Sequence, residues 1–289
     1  MMKLKQYSKN SAKSVLLFNL ILFLSLLFFG CQSDFNPTYT EGQIPEEIAK
    51  ICKDEYKLDV TTQRVGSTLW VYIPLTDLLH KDIEVNKEKF FSEAAKEKLM
   101  NIITSLSRVV LSSDKSPDFY ALVASDIKAG IDYTLIGYIL DIKKAYAGFI
   151  PPTELDRRYV MKLAAEPRSL EDKGGDHLQV FDIQFRDFLA EQISQRINAK
   201  FQGEELTKYF KVNSVHGQYK DKAFIFYYDI KQILPTLKPT DIQQEMLKIV
   251  AYCLSTYEFK DFNQIGLADL NSGNEVMLGQ AALSNIKGL

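Results

Sequence analysis

A chain of 289 residues, 46% apolar and 25% charged, has ordinary globular composition, which excludes wholesale disorder, collagen-like repetition and a polytopic membrane protein. The formal net charge of −2 hides an asymmetry: Lys3, Lys5, Lys9 and Lys13 all precede the first acidic residue, Asp34. Beyond residue 30 there remain 31 basic and 37 acidic residues, a net −6 without a lysine or arginine stripe, so nucleic acid is not an expected partner.

The first segment reads in three parts: the lysine-bearing stretch, an apolar run from Val15 to Phe29, and Gly30-Cys31. That is the order of a secretory signal, and the run is short of the ~20 apolar residues a membrane span needs. A cysteine directly after a small residue at the end of such a run resembles the lipobox of bacterial lipoproteins, although Phe28 and Phe29 stand where that family usually has leucine and a small residue. The resemblance implies a signal peptide over 1–30, acylation of the Cys31 thiol, and membrane lipid as a partner through the acylated Cys31. An uncleaved signal anchor, or a buried or disulfide-bonded Cys31, are the alternatives. Gln32, where an aspartate would retain the protein at the inner membrane, implies by the same resemblance the outer membrane of a diderm envelope. Residues 31–43, with Pro37 and Gly42, read as a tether.

From Pro45 the pattern becomes helical, with Ile48, Ile51 and Cys52 on one face across Glu46 to Tyr56. Leu58 to Arg64 alternates, and Gly66-Ser67 joins it to Leu69-Trp70-Val71-Tyr72-Ile73 as a type II′ hairpin. A long helix follows on Phe91, Ala95, Leu99, Ile102, Leu106 and Val109. Then come strand-like runs Phe119–Ala124 and Ile131–Gly137, helical character from Ile139 to Tyr146, a capping-box-like start at Thr153, and a polar linker over 165–181 with Pro167 and Gly174-Gly175.

The second half repeats the order. A helix on Phe185, Phe188, Leu189, Ile193, Ile197 and Phe201 precedes Phe210–Val215 and Ala223–Tyr228, read as a hairpin across a loop containing Gly217. Thr240, with Gln243 three residues on, opens a helix through Ile242, Met246, Ile249, Cys253 and Tyr257, and two strands centre on Gln264–Ala268 and Glu275–Gly279. The expected fold is therefore α+β: two tandem αββαββ halves, 44–164 and 182–289, with antiparallel strands packed on helices. Asp118-Phe119 and Asp261-Phe262, Asp126 and Asp269, and Gly130 and Gly273 all lie 143 residues apart, which points to internal duplication.

Chemistry is sparse in this sequence. The three histidines, His80, His177 and His216, read as solvated loop residues, and no Cys or His pair has zinc spacing, so neither a metal nor a cofactor is expected. There is no G-x-S-x-G, P-loop or G-x-G-x-x-G, and the S-x-x-K matches at Ser112, Ser125 and Ser284 fall in loops or the tail. Asp126 and Asp269 are the one carboxylate pair that two facing halves would bring together for glycan hydrolysis, yet each sits four residues before a turn glycine, as a turn-capping aspartate does. Trp70, Tyr72, Phe226, Tyr227 and Tyr228 crowd the hairpin strands; because neighbours on a strand face opposite ways, they form either core or a binding surface. Cys52 and Cys253 lie on apolar helix faces and are expected to be free thiols rather than a disulfide. The reading this supports is a non-catalytic, membrane-tethered binding, scaffold or assembly-accessory lipoprotein of the cell envelope with an envelope protein as partner. An envelope hydrolase using paired carboxylates is the alternative.

Overall fold

The computed structural model describes residues 36–80, 90–236 and 240–283. Cys31, the signal-like segment and the Ser284–Lys287 match lie outside the described residues. The first helix, α1 (Ile44–Tyr56), opens with Pro45 and with Glu46 and Glu47 in its first turn, where a missing N–H costs nothing and negative charge suits the helix dipole. It closes on Lys57 in the left-handed region (φ +58°), with the Leu58 N–H reaching back to the Cys52 carbonyl at 3.0 Å.

Next come β1 (Thr61–Val65) and β2 (Thr68–Leu75), joined by Gly66 at φ +58°, then α2 (Glu93–Leu111), capped by Ser92 Oγ, which accepts from the Ala95 N–H at 3.1 Å. β3 (Phe119–Asp126) and β4 (Ile131–Tyr138) form the second hairpin; α3 (Ile139–Tyr146), α4 (Pro152–Asp156) and β5 (Val160–Ala165) complete the first half. The second half is α5 (Phe185–Gln202), β6 (Phe210–Lys220), β7 (Ala223–Gln232), α6 (Ile242–Thr256), β8 (Gln264–Asp269), β9 (Glu275–Gly279) and the short α7 (Gln280–Leu283). The protein is α+β, with the αββαββ order in both halves.

The first sheet has the order β1-β2-β3-β4-β5 and the second β6-β7-β8-β9. The hairpins are antiparallel as expected, but the pairs that join them, β2 with β3 and β7 with β8, are parallel. Helices α2 and α6 cause this: each carries the chain back to the end from which the preceding strand started, so Thr68 pairs with Phe119 and Ala223 with Gln264. Both sheets are therefore mixed, and this shared topology is compatible with duplication.

Hydrogen bonds define the equivalences more finely than the sequence offset does. At the turn end, Ile127 N donates to Leu75 O and Leu270 N to Tyr228 O, which preserves the 143-residue spacing of Asp126 and Asp269. At the other end, Ser67 O accepts from the amides of Asp118 and Phe119, while Lys222 O accepts from those of Asn263 and Gln264. Asp118 is thus matched by Asn263, not Asp261. β3 is two residues longer than β8, and the repeated Asp-Phe dipeptide is out of structural step.

Other expectations shift for local reasons. The body begins earlier than the 31–43 tether allowed: Tyr39 N donates to Ser112 O, Asp114 N to Tyr39 O, and Glu41 pairs with Arg64 at 2.6 Å. Asp241, not Thr240, caps α6, accepting from Gln244 N at 3.1 Å. β5 had no sequence signature, because all of its side chains but Val160 are exposed. The β6–β7 turn is Asp221-Lys222, both at positive φ (51° and 60°), which leaves Gly217 in mid-strand.

Gly217 is there because α5 comes too close for a side chain: a Cβ would lie 2.5 Å from both Ala190 O and Ser194 Oγ. We expect Gly217→Ala to force α5 off the sheet and to destabilise by about 1–3 kcal/mol, read as a lower urea midpoint with unchanged m-value.

One face of the first sheet packs on α1 and α2 through Leu69, Val71, Ile73, Tyr120 and Leu122. One face of the second packs on α5 and α6 through Phe224, Phe226, Tyr228, Ile265 and Leu267. The other face of the first sheet, bearing Trp70, Tyr72, Phe119, Ala121 and Val123, is covered by Leu178, Val180, Ile183 and Phe188. The 165–181 segment read as a linker is therefore also a cover. The described residues from Tyr39 onward form one compact unit.

Candidate functional site

Asp126 and Asp269 are taken up by their own turns. Oδ1 of Asp126 accepts from the amides of Lys128 (3.1 Å) and Ala129 (3.0 Å), and Oδ2 accepts from the Leu78 amide at 3.0 Å. Asp269 accepts from the Asn271 amide at 2.9 Å and from Ser272 Oγ at 2.8 Å. Burial opposes ionisation of Asp269, yet these turn donors outweigh it and hold the carboxyl below its ordinary range. Gly130 and Gly273, at φ +66° and +71°, close the two turns. Each aspartate belongs to a different sheet, and turn capping is what its geometry does.

The aromatic residues divide by strand parity. Phe226 and Tyr228 face α5 and α6 in the core of the second half. Trp70 and Tyr72 face the other way but lie beneath the chain's own cover: Trp70 Nε1 donates to Phe181 O at 2.9 Å and Tyr72 Oη to Asp172 O at 2.6 Å. Burial pushes the Tyr72 phenol up to about 12. Of the five, Tyr227 alone is half-exposed, accepting a hydrogen bond from Gln218 Nε2 at 2.9 Å.

Tyr227 belongs to the outer face of the second sheet. Register places His216 and Gln218 of β6 opposite Tyr227 and Ile225, Gly266 and Ala268 of β8 on their other side, and Met277 of β9 opposite Gly266. A Cβ on Gly266 would lie 2.7 Å from Met277 Sδ, so the thioether rests directly on the sheet. Ile225, Tyr227 and Met277 join none of the core clusters among the described residues. This face thus presents a short apolar strip with a polar rim, where its counterpart on the first sheet is covered.

His177 overturns its reading as a solvated loop residue. Its side chain is 3% exposed and bridges two carboxylates, Nδ1 at 2.5 Å from Asp172 Oδ2 and Nε2 at 2.9 Å from Asp132 Oδ2. Ser125 Oγ donates to the other oxygen of Asp132 at 2.5 Å, and Asp172 also accepts from the amides of Gly174, Gly175 and His177. Ser125 is buried and bonded to the carboxylate, not the imidazole, so this is not a nucleophile–base arrangement. His216 is exposed in mid-strand and His80 is half-buried. No sequence pattern marks the Asp132–His177–Asp172 group, because its members meet only once the cover folds over the sheet.

Cys52 and Cys253 are free and buried, each within the core of its own half, and burial pushes the Cys253 thiol up to about 12. A cleft of about 590 Å³ lies between the end of α5, the loop Gly203–Leu206 and α6. Its charges are of both signs, with Glu245 2.6 Å from Lys248 and 3.9 Å from Lys200. Among the described residues no group of three His, Cys, Asp or Glu side chains is placed to hold a metal ion, and no helix is long and apolar enough to cross a membrane. Comparison of the chain with protein-family models, with curated proteins and with solved structures finds no match.

Proposed function

We propose that this protein is a non-catalytic lipoprotein of the cell envelope, anchored in membrane lipid through an acylated Cys31 and acting as a binding, scaffold or assembly-accessory protein for an envelope partner. The order of lysines, apolar run and Gly30-Cys31 supports the anchor, and Gln32 supports the outer membrane as its address in a diderm cell. Each buried methylene of an acyl chain contributes about 0.8 kcal/mol to membrane binding, and stable attachment takes more than one chain. The observation that carries the binding reading is the strip of Ile225, Tyr227 and Met277, which among the described residues joins no core cluster, set against the covered equivalent face of the first sheet. Asp126 and Asp269, engaged by turn amides, argue against paired-carboxylate hydrolysis.

Mass spectrometry of the N-terminal peptide from membrane-extracted protein tests the anchor. It is expected to show a chain beginning at Cys31 with diacylglyceryl mass on that residue, and Cys31→Ser is expected to block processing. An unmodified chain that still contains Met1 in the membrane would refute the lipid anchor and favour a retained signal helix.

A further inference from the structure

Between Leu170 and Gln184 the chain has no helix or strand, yet it covers the outer face of the first sheet. Two carboxylate attachments hold it, alongside hydrogen bonds from Trp70 Nε1 to Phe181 O, from Tyr72 Oη to Asp172 O and from Glu171 N to Ile127 O. At one end the Asp182 carboxylate accepts from Ser67 N (2.9 Å), Ser67 Oγ (3.0 Å) and Thr68 Oγ1 (3.1 Å), tying the chain to the β1–β2 turn. At the other end, His177 joins Asp172 of the cover to Asp132 of β4. Between them lie the Trp70–Phe181 hydrogen bond and the half-buried side chains of Leu178 and Val180.

The His177 attachment differs from the other in one respect. An ionised carboxylate only accepts, a neutral imidazole carries one N–H, and here both ring nitrogens face carboxylate oxygens. The bridge therefore needs one proton more than a neutral ring and two carboxylates supply. Without it, one ring nitrogen, on a side chain only 3% exposed, turns a lone pair toward a carboxylate. From these contacts we infer that residues 172–181 are a pH-operated latch, shut while a His177 imidazolium bridges Asp132 and Asp172, and opening over Tyr72 when the ring gives up that proton.

The groups around the ring fit this role. Asp172 and Asp176 come from the cover, Asp132 from β4, Tyr72 from β2 with its ring edge-on to His177 at 5.7 Å, and Glu166 from the turn after β5, bound to Arg168. Burial works against a charge on His177, but the hydrogen bonds to Asp172 and Asp132 outweigh it and raise its pKa above the ordinary 6.5. A raised closed-state pKa means that the stabilisation is complete below 6.5 and is lost as pH climbs through the closed-state value. Tyr72 is the residue uncovered: its hydroxyl donates to Asp172 O, and Gly175 lies so close that a Cβ there would sit 2.9 Å from the ring.

The full-length chain reports on this without any substitution. Trp70 is its only tryptophan and is hydrogen-bonded to the cover, while the amides of Gly174, Gly175 and His177 donate to Asp172. Acrylamide quenching of Trp70 and hydrogen exchange of these amides, corrected for intrinsic exchange, are to be followed from about pH 6 to about pH 9. The open population is expected to rise about tenfold per pH unit above 6.5 and to level off once the closed-state pKa is passed. In Asp132→Asn the side-chain amide donates to a neutral Nε2 while Nδ1–H still donates to Asp172, so the latch should stay shut and the profile flatten. A flat wild-type profile, or an unchanged slope in Asp132→Asn, would overturn the latch.

Discussion

Arg158→Met is expected to lower the stability of the folded chain by about 3–5 kcal/mol in urea unfolding, because it leaves a carboxylate buried without its cation. The Arg158 and Asp141 side chains are only 9% and 2% exposed, with Nη1 of Arg158 2.8 Å from Asp141 Oδ1. Burial opposes the charge on Arg158, but Asp141 and Glu154 outweigh it and hold the guanidinium charged. The pair is also where the halves meet: Tyr257, following α6, donates its hydroxyl to Asp141 at 2.6 Å, and Gln192 of α5 donates to both Arg158 O (2.6 Å) and the Tyr257 oxygen (2.8 Å). Glu154 extends this seam, bonding Arg158, Arg196 and Tyr252 through one oxygen. The double variant Arg158→Met with Asp141→Leu should recover much of the loss, since removing both charges also removes their desolvation cost. Trp70 fluorescence and far-UV circular dichroism should report one coincident transition, because each half supplies groups the other leaves buried. Two separate transitions in the wild type would mean that the seam does not couple the halves.

None of that seam was visible in the sequence, although the helices it joins were. The spacing of Phe188, Leu189, Ile193, Ile197 and Phe201 reports helix α5 directly, because a buried face must repeat with the helical period. The hairpins at Gly66 and Gly130 were legible for a similar reason: a positive φ selects glycine locally. Gly217 shows the limit of that reasoning, since its cause is the approach of Ala190 and Ser194, residues more than twenty positions away. That the 165–181 segment is also a cover was not legible, because between Leu170 and Gln184 it has no helix or strand and its backbone carbonyls accept from Trp70 and Tyr72, about a hundred residues earlier. Both turn-capping aspartates were legible, being bonded within three residues of themselves. His177 was not, because its burial depends on Asp132, 45 positions away.

Adjacent residues on β7 should respond very unequally to truncation, and this decides whether the second sheet has a free face. Phe226 is fully buried, lies parallel to Phe224 with ring centroids 6.3 Å apart, and has its ring edge against Gly217. Phe226→Ala removes those contacts and leaves a cavity under α5, at an expected cost of about 3–5 kcal/mol. Tyr227 points to the other side, where its hydroxyl accepts from the exposed Gln218 amide and its ring joins no core cluster among the described residues, so Tyr227→Ala should cost about 1 kcal/mol or less. A gap of about 2 kcal/mol or more is at least a thirtyfold difference in the folded-to-unfolded ratio, well within reach of denaturant titration. If Tyr227→Ala proved as costly as Phe226→Ala, the strip formed with Ile225 and Met277 would be packed against something after all, and the surface on which partner binding rests would be lost. If it leaves the fold intact, the side chain is stabilising little within its own chain, and a half-exposed tyrosine beside a thioether on a flat sheet is the kind of apolar surface that a partner buries.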